Sequence, residues 1–187
     1  MANRNTQGFG LVPAGTLGQT PATSGTGKYK IDAGSATTIF QGGAVSSSAG
    51  YIVEGQGTAD NPMVGVLNGI FFNAATTLKP TFQNHYVQVT PANSEDIDAF
   101  VFDNPQQQYV VATDAAVAQS GFLETYDMNT SAGSTTTGRS SATLDIGDTS
   151  ADAASFRLLR SAEDPENDEN AAFRSVVVVP NLIELQS

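Results

Sequence analysis

The sequence predicts an all-β protein: a sandwich or barrel of about ten short strands, of jelly-roll or β-tulip type, with an extended N-terminal arm and at most one short helix. Three observations predict it. Val, Ile, Thr, Phe and Tyr are frequent, and no long Leu/Glu/Lys-rich segment occurs. Short runs alternate apolar and polar residues at period two. Gly, Pro, Asn and Asp clusters separate those runs roughly every ten to fifteen residues. At 187 residues the chain is long enough for a real core and short enough for one domain. The division expected is an arm over 1–27 and a single β domain over 28–187.

The arm comes first. "QGFGLVPAGTLGQTPATSGTG" (7–27) has no charge, six glycines and two prolines. Such a segment buries too little surface to offset its own ordering entropy, so it reads either as a frayed tail or as a segment that orders against another molecule's surface. Its one apolar cluster is Phe9, Leu11, Val12 and Pro13.

"KYKID" (28–32), "TTIFQGGAV" (37–45) and "GYIVEG" (50–55) read as strands, and "GQGTADNP" (55–62) as a loop. In "PMVGVLNGIFFN" (62–73), Val64, Val66, Ile70 and Phe72 share one face, with Gly65 and Gly69 opposite. Glycine inside a strand marks a bulge or a close backbone approach. "TFQNHYVQV" (81–89) alternates, with Tyr86 out of phase. "IDAFVFDN" (97–104) and "QYVVATD" (108–114) form a pair joined by an Asn-Pro turn.

"DAAVAQSGFLET" (114–125) is the one helical candidate, with Asp114 as N-cap and Gly121 as stop. "YDMNTSAGSTTTG" (126–138) reads as a polar loop. "SATLDIG" (141–147) and "SFRLLRSAE" (155–163) are strands, and "EDPENDEN" (163–170), five acids in eight residues, is a solvated loop. In "AAFRSVVVVPNLIELQ" (171–186), Pro180 is expected at an edge or at a join between two strands.

Composition removes several classes of function. The net charge is −11, from 19 acids and 8 scattered bases, which argues against direct nucleic-acid binding. With no cysteine there is no disulfide, thiolate chemistry or Cys-based metal site. The first ten residues, "MANRNTQGFG", show no apolar core of signal-peptide length. The longest apolar run, "VVVV" (176–179), is strand length, so no membrane span is expected.

Chemistry-bearing patterns are sparse. The single histidine, His85, would need a nucleophile and an orienting acid that no motif supplies, and it reads as a strand-surface or interface residue. "GQG" (55–57) lacks the spacing, the helix and the Lys-Ser/Thr of a phosphate loop. "EDPENDEN" has calcium-ligand residue types without EF-hand spacing, and no metal site or cofactor is expected. Arg139 stands alone in "GSTTTGRSSATLDIG" (133–147). A guanidinium there either clamps a carboxylate of a neighbouring subunit or snorkels to solvent. The acidic loop is expected to meet Arg157, Arg160 and Arg174 in exposed pairs worth little.

"QGFGLVP", "PMVGVLNGIFF", "KPTFQNHYV", "DIDAFVFDNPQQQYVV", "GSTTTGRSSATLDIG" and "RSAEDPENDENAAFRSVVVVPNLIEL" follow one another over nearly the whole chain. In that order they resemble a family of tailed-bacteriophage capsid cement (decoration) proteins. One departure is the ending "VVPNLIELQ", where Pro180 and Ile183 replace a polar pair in the family pattern.

The resemblance implies a non-enzymatic virion protein on the capsid exterior. It implies the major capsid protein as partner and self-association as a homotrimer. Phe9, Leu11, Val12 and Pro13 become the capsid-binding anchors of the arm, and Arg139 and His85 the inter-subunit contacts. The alternatives are a phage fibre- or spike-base protein and a carbohydrate-binding β-sandwich, the latter disfavoured by 8% aromatics and no Trp.

Overall fold

A computed structural model describes residues 3, 5–18, 25–58, 60–130, 133–149, 154–163 and 165–186. They form twelve strands: β1 (Val12–Thr16), β2 (Gly27–Ile31), β3 (Ala44–Ser48), β4 (Tyr51–Glu54), β5 (Gly65–Asn73), β6 (Pro80–Gln83), β7 (Ile97–Phe102), β8 (Gln107–Ala112), β9 (Thr125–Asn129), β10 (Thr143–Thr149), β11 (Phe156–Ser161) and β12 (Ser175–Pro180).

Two antiparallel sheets result, in the manner of a β-sandwich, and neither closes into a barrel. The first runs β1-β8-β12-β11-β9-β10, and the second runs β2-β7-β5-β3-β4. β5 is nine residues long, which lets one of its edges serve two short strands. Gly65 and Val66 pair with β3, and Ile70–Asn73 pair with β6.

Alternation decides which face each strand buries. Ile97, Ala99 and Val101 of β7 are buried while the residues between them are half-exposed. β12 departs from the rule: all of Val176–Val179 are buried, with Val176 and Val178 in an apolar cluster. Pro180 is its last residue, opposite Phe156, so the ladder ends where the missing N–H would matter.

Two apolar clusters form. One gathers Tyr109, Val111, Tyr126, Phe156, Leu158, Val176 and Val178 of the first sheet, with Ala44, Met63 and Val66 from the second sheet and its loops. The other belongs to the second sheet: Ile31, Val45, Ile52, Leu67, Ile70, Phe72, Ile97 and Val101. The register of β5 slips between Leu67 and Gly69. This bulge corrects the single apolar face expected of β5. Val66 faces the first cluster, while Leu67, Ile70 and Phe72 share the second.

The 114–125 segment is not a helix. It holds one 3₁₀ turn, Gln119–Gly121, and Asp114 Oδ1 accepts the Ile146 amide at 2.9 Å, a tether to β10 and not a cap. Strand β9 occupies the start of the expected polar loop. Buried Asp127 is satisfied there by the Ser155 amide at 3.1 Å.

The N-terminal segment differs most from expectation. Residues 12–16 are an edge strand of the protein's own first sheet, paired with β8. Before it, Gly10 N donates to Ala142 O (3.2 Å) and Leu11 N to Gly42 O (2.8 Å). Further back, the Asn3 side-chain amide donates to the carbonyls of Asp168 (3.3 Å), Ala171 (3.3 Å) and Ala172 (2.8 Å). A chain too poor in apolar residues to fold on itself is thus ordered by backbone partners that the rest of the domain supplies.

Candidate binding cleft at the sheet junction

Three glycines let loops close in at the sheet junction: Gly10 before β1, Gly42 before β3 and Gly138 in the turn before Arg139. Gly10, Gly42 and Gly138 all have positive φ, +73°, +78° and +72°, a region that costs other residues strain. A Cβ on Gly10 would lie 2.8 Å from the Gly42 carbonyl oxygen, so the two loops touch backbone to backbone. Gln41 then lies beside Arg139 in a parallel bridge. Gln41 N donates to Gly138 O and Ser140 N donates to Gln41 O, each at 2.9 Å.

These contacts enclose a cleft of about 80 Å³ lined by Phe9, Leu11, Val12, Pro13, Gln41, Gly42, Leu67, Asn68, Phe102 and Arg139. Its walls are apolar and its floor is fixed by amides. Gln41 Nε2 donates to the Asn68 carbonyl at 3.0 Å, pinning the bulge of β5, and Gln41 Oε1 accepts from Asn84 Nδ2 at 3.5 Å.

Arg139 is exposed at the mouth, and its backbone closes the Ser134–Arg139 turn. Among the described residues, no hydrogen bond or ion pair holds its guanidinium. Both expected uses of Arg139, clamp and solvent-facing residue, fit an exposed guanidinium at a cleft mouth.

The structure brings five of the six singled-out residues into the lining and sets His85 behind the Arg139 turn. Leu11 is 1% exposed and belongs to the first cluster, so the core holds most of its side chain and only its outer edge lines the cleft. Phe9 and Pro13 are half-buried and Val12 is 40% exposed, so these three are presented outward.

The Arg139 turn packs on Asn84 and His85: Asn84 Nδ2 donates to Thr137 O at 2.8 Å, and a Cβ on Gly138 would overlap both side chains. That bond turns Asn84 Oδ1 toward His85 Nδ1, 2.8 Å away, so Nδ1 carries the proton. The imidazole also stacks on Phe40, with centroids 6.0 Å apart and planes at 10°. Among the described residues its partners are Asn84 and Phe40, which makes it a packing residue behind the turn.

Sequence reasoning missed Gln41, Leu67, Asn68 and Phe102. The Gly42-Gly43 pair and the Asn68-Gly69 step inside a strand were the available signals. They mark where backbones approach but not which neighbour they approach.

Elsewhere, Arg174 is buried and the acidic loop is tied down, in contrast to the expected exposed pairs. Asn167 Nδ2 donates to Ser175 O at 2.8 Å, and Arg174 reaches Glu169 at 3.2 Å. Among the described residues, no group of three or more His, Cys, Asp or Glu side chains is placed to hold a metal ion, and no helix is long and apolar enough to cross a membrane.

No family model matches the chain, and no match was found among curated proteins or solved structures.

The cleft lining contains no Asp, Glu, His, Ser, Thr or Lys. It therefore holds no base or hydroxyl nucleophile. What it offers is an apolar recess, a fixed amide and a guanidinium that no described residue holds.

Proposed function

We propose that the protein is a virion structural protein. It is a capsid decoration protein that binds the outer shell across neighbouring major capsid subunits, self-associates as a homotrimer and stabilises the shell. The observation that carries the reading is the junction cleft, where an apolar recess opens beside the exposed Arg139 side chain. The ordered resemblance of six sequence stretches to cement proteins agrees with it.

Surface character supports the same reading. Leu78, Phe82, Leu123 and Leu185 are exposed apolar side chains among the described residues. Footholds of that kind are weak singly, but one engaged foothold raises the effective concentration of the next. The charge of −11 keeps decorated particles mutually repelling.

The test is co-sedimentation of the purified protein with assembled heads that lack it, alongside its mass in solution by analytical ultracentrifugation. Saturable binding to heads and a three-chain mass support the reading. A protein that stays in the supernatant at concentrations well above those of the coat subunits overturns it.

A further inference from the structure

The chemistry of the cleft narrows what it can receive, and the inference rests on the decoration reading. We infer that the cleft is a receptor for an extended segment of the partner that carries a branched apolar side chain beside a carboxylate.

Charge is the first reason. The chain has 19 acids, yet none lines this cleft, and the one ionised lining side chain is Arg139. A guanidinium presents parallel N–H donors matched to a carboxylate, and none of the described residues takes that place. The chain as a whole carries a net charge of −11, which disfavours anions over its surface at large, and Arg139 supplies a local exception.

Shape is the second reason. Leu11, Leu67 and Phe102 form an apolar recess next to the cation, and Leu11 and Leu67 are already fully packed on their inner sides. The recess is of a size to admit one aliphatic side chain, and it offers no hydroxyl or acid to satisfy a polar one. A simple inorganic anion would leave those walls uncovered.

The approach is the third reason. β1 pairs with β8 on one side only and is the outer strand of its sheet. An extended segment running along Val12–Thr16 can add to that edge while its side chain enters the recess. Pro13 and the register slip between Pro13 and Gly15 interrupt the edge near its start, so pairing alone is weak and the cleft supplies the selectivity.

The experiment titrates the full-length protein with N-acetyl-leucine, its carboxylate free, and follows the Arg139 Nε–H and the Leu11 and Leu67 methyl resonances by NMR. N-acetyl-leucine amide and sodium acetate serve as comparison probes. The expected result is millimolar binding of N-acetyl-leucine that shifts both sets of signals, at least tenfold weaker binding of the amide and of acetate, and loss of binding in Arg139→Gln.

Arg139→Gln alters an exposed side chain, and an unchanged melting temperature confirms that it folds. Val12→Glu, which brings a carboxylate to the rim, is expected to weaken binding at least tenfold. Equal binding of acetate and N-acetyl-leucine overturns the inference, as does binding that survives Arg139→Gln, or none at 50-fold the expected concentration. If the protein still sediments with heads in those cases, the inference fails while the decoration reading stands. If it does not sediment with heads, that reading fails whatever the titration shows.

Discussion

The Leu11 amide donates to the Gly42 carbonyl at 2.8 Å, and the Leu11 side chain, 1% exposed, is part of the first apolar cluster. One residue of the supposed arm thus ties β1 to the turn that leads into β3. Replacing Leu11 with Ala removes buried methyls from a packed site and is expected to cost about 2–4 kcal/mol. For a chain of this size that is a fall in Tm of roughly 5–15 °C. A segment held only by a partner would give no change in the isolated protein, so differential scanning calorimetry distinguishes the two.

Gly10 and Gly18 separate backbone strain from crowding. Both have positive φ, +73° and +87°. A Cβ on Gly10 would meet the Gly42 oxygen at 2.8 Å and Ser140 Cβ at 2.9 Å, whereas nothing lies within 4 Å of one on Gly18. Gly18→Ala pays the conformational strain alone, about 1 kcal/mol. Gly10→Ala adds overlap with a backbone carbonyl that cannot swing aside, for a total of roughly 2–4 kcal/mol. Urea unfolding of the two variants should show that order, and equal midpoints would mean that the junction is looser than the packing indicates.

Most of the second sheet was legible from its sequence, because β7 and β2 face a core on one side and alternate accordingly. β9 was not: of Thr125–Asn129 only Tyr126 and Met128 are apolar. The buried Asp127 is tolerated because the Ser155 amide, 28 residues away, meets it. β1 was read as an arm since Pro13 and Gly15 are poor strand residues, and an edge position that forgives them cannot be seen locally. Arg139 and the Phe9–Pro13 cluster were each visible. Their meeting was not, because it depends on Gly42 and Asn68, which belong to other strands and loops.

The ion group on the second sheet should leave a pH signature. Asp98 is approached by Lys28 Nζ at 2.7 Å and Lys30 Nζ at 2.6 Å. Burial works to raise the Asp98 pKa, but hydrogen bonds and charge from the two ammonium groups work against it, and the net result is a carboxyl below its ordinary value. A depressed carboxyl stabilises the fold above the unfolded-state pKa of about 3.9 and loses that contribution as pH falls through the folded value. Because both lysines are more than half exposed, the group is worth about 1 kcal/mol or less. The stability difference between wild type and Asp98→Asn is therefore expected to be constant from pH 5 to 7, to shrink below pH 4 and to weaken in high salt. A difference that grows toward low pH would contradict the assignment.

Arg174 presents the opposite electrostatic case. It is 4% exposed, its Nη1 donates to Val117 O at 3.2 Å, its Nε to Ser161 Oγ at 3.3 Å, and its guanidinium lies 5.3 Å from the Phe122 ring centroid. Its carboxylate partner Glu169 is 76% exposed. The surface half of the pair is screened by water, so Glu169→Gln should cost under about 0.5 kcal/mol. The buried half is different. Arg174→Ala empties a packed position and strands the Val117 carbonyl, for about 2–4 kcal/mol. Arg174→Lys keeps the charge but loses the planar fork that reaches Val117, Ser161 and Glu169 together, so it should recover less than half of that loss. Chemical denaturation of the three variants checks the ranking. Full rescue by lysine would show that charge, and not the geometry of the guanidinium, holds the 161–175 segment to the loop before β9.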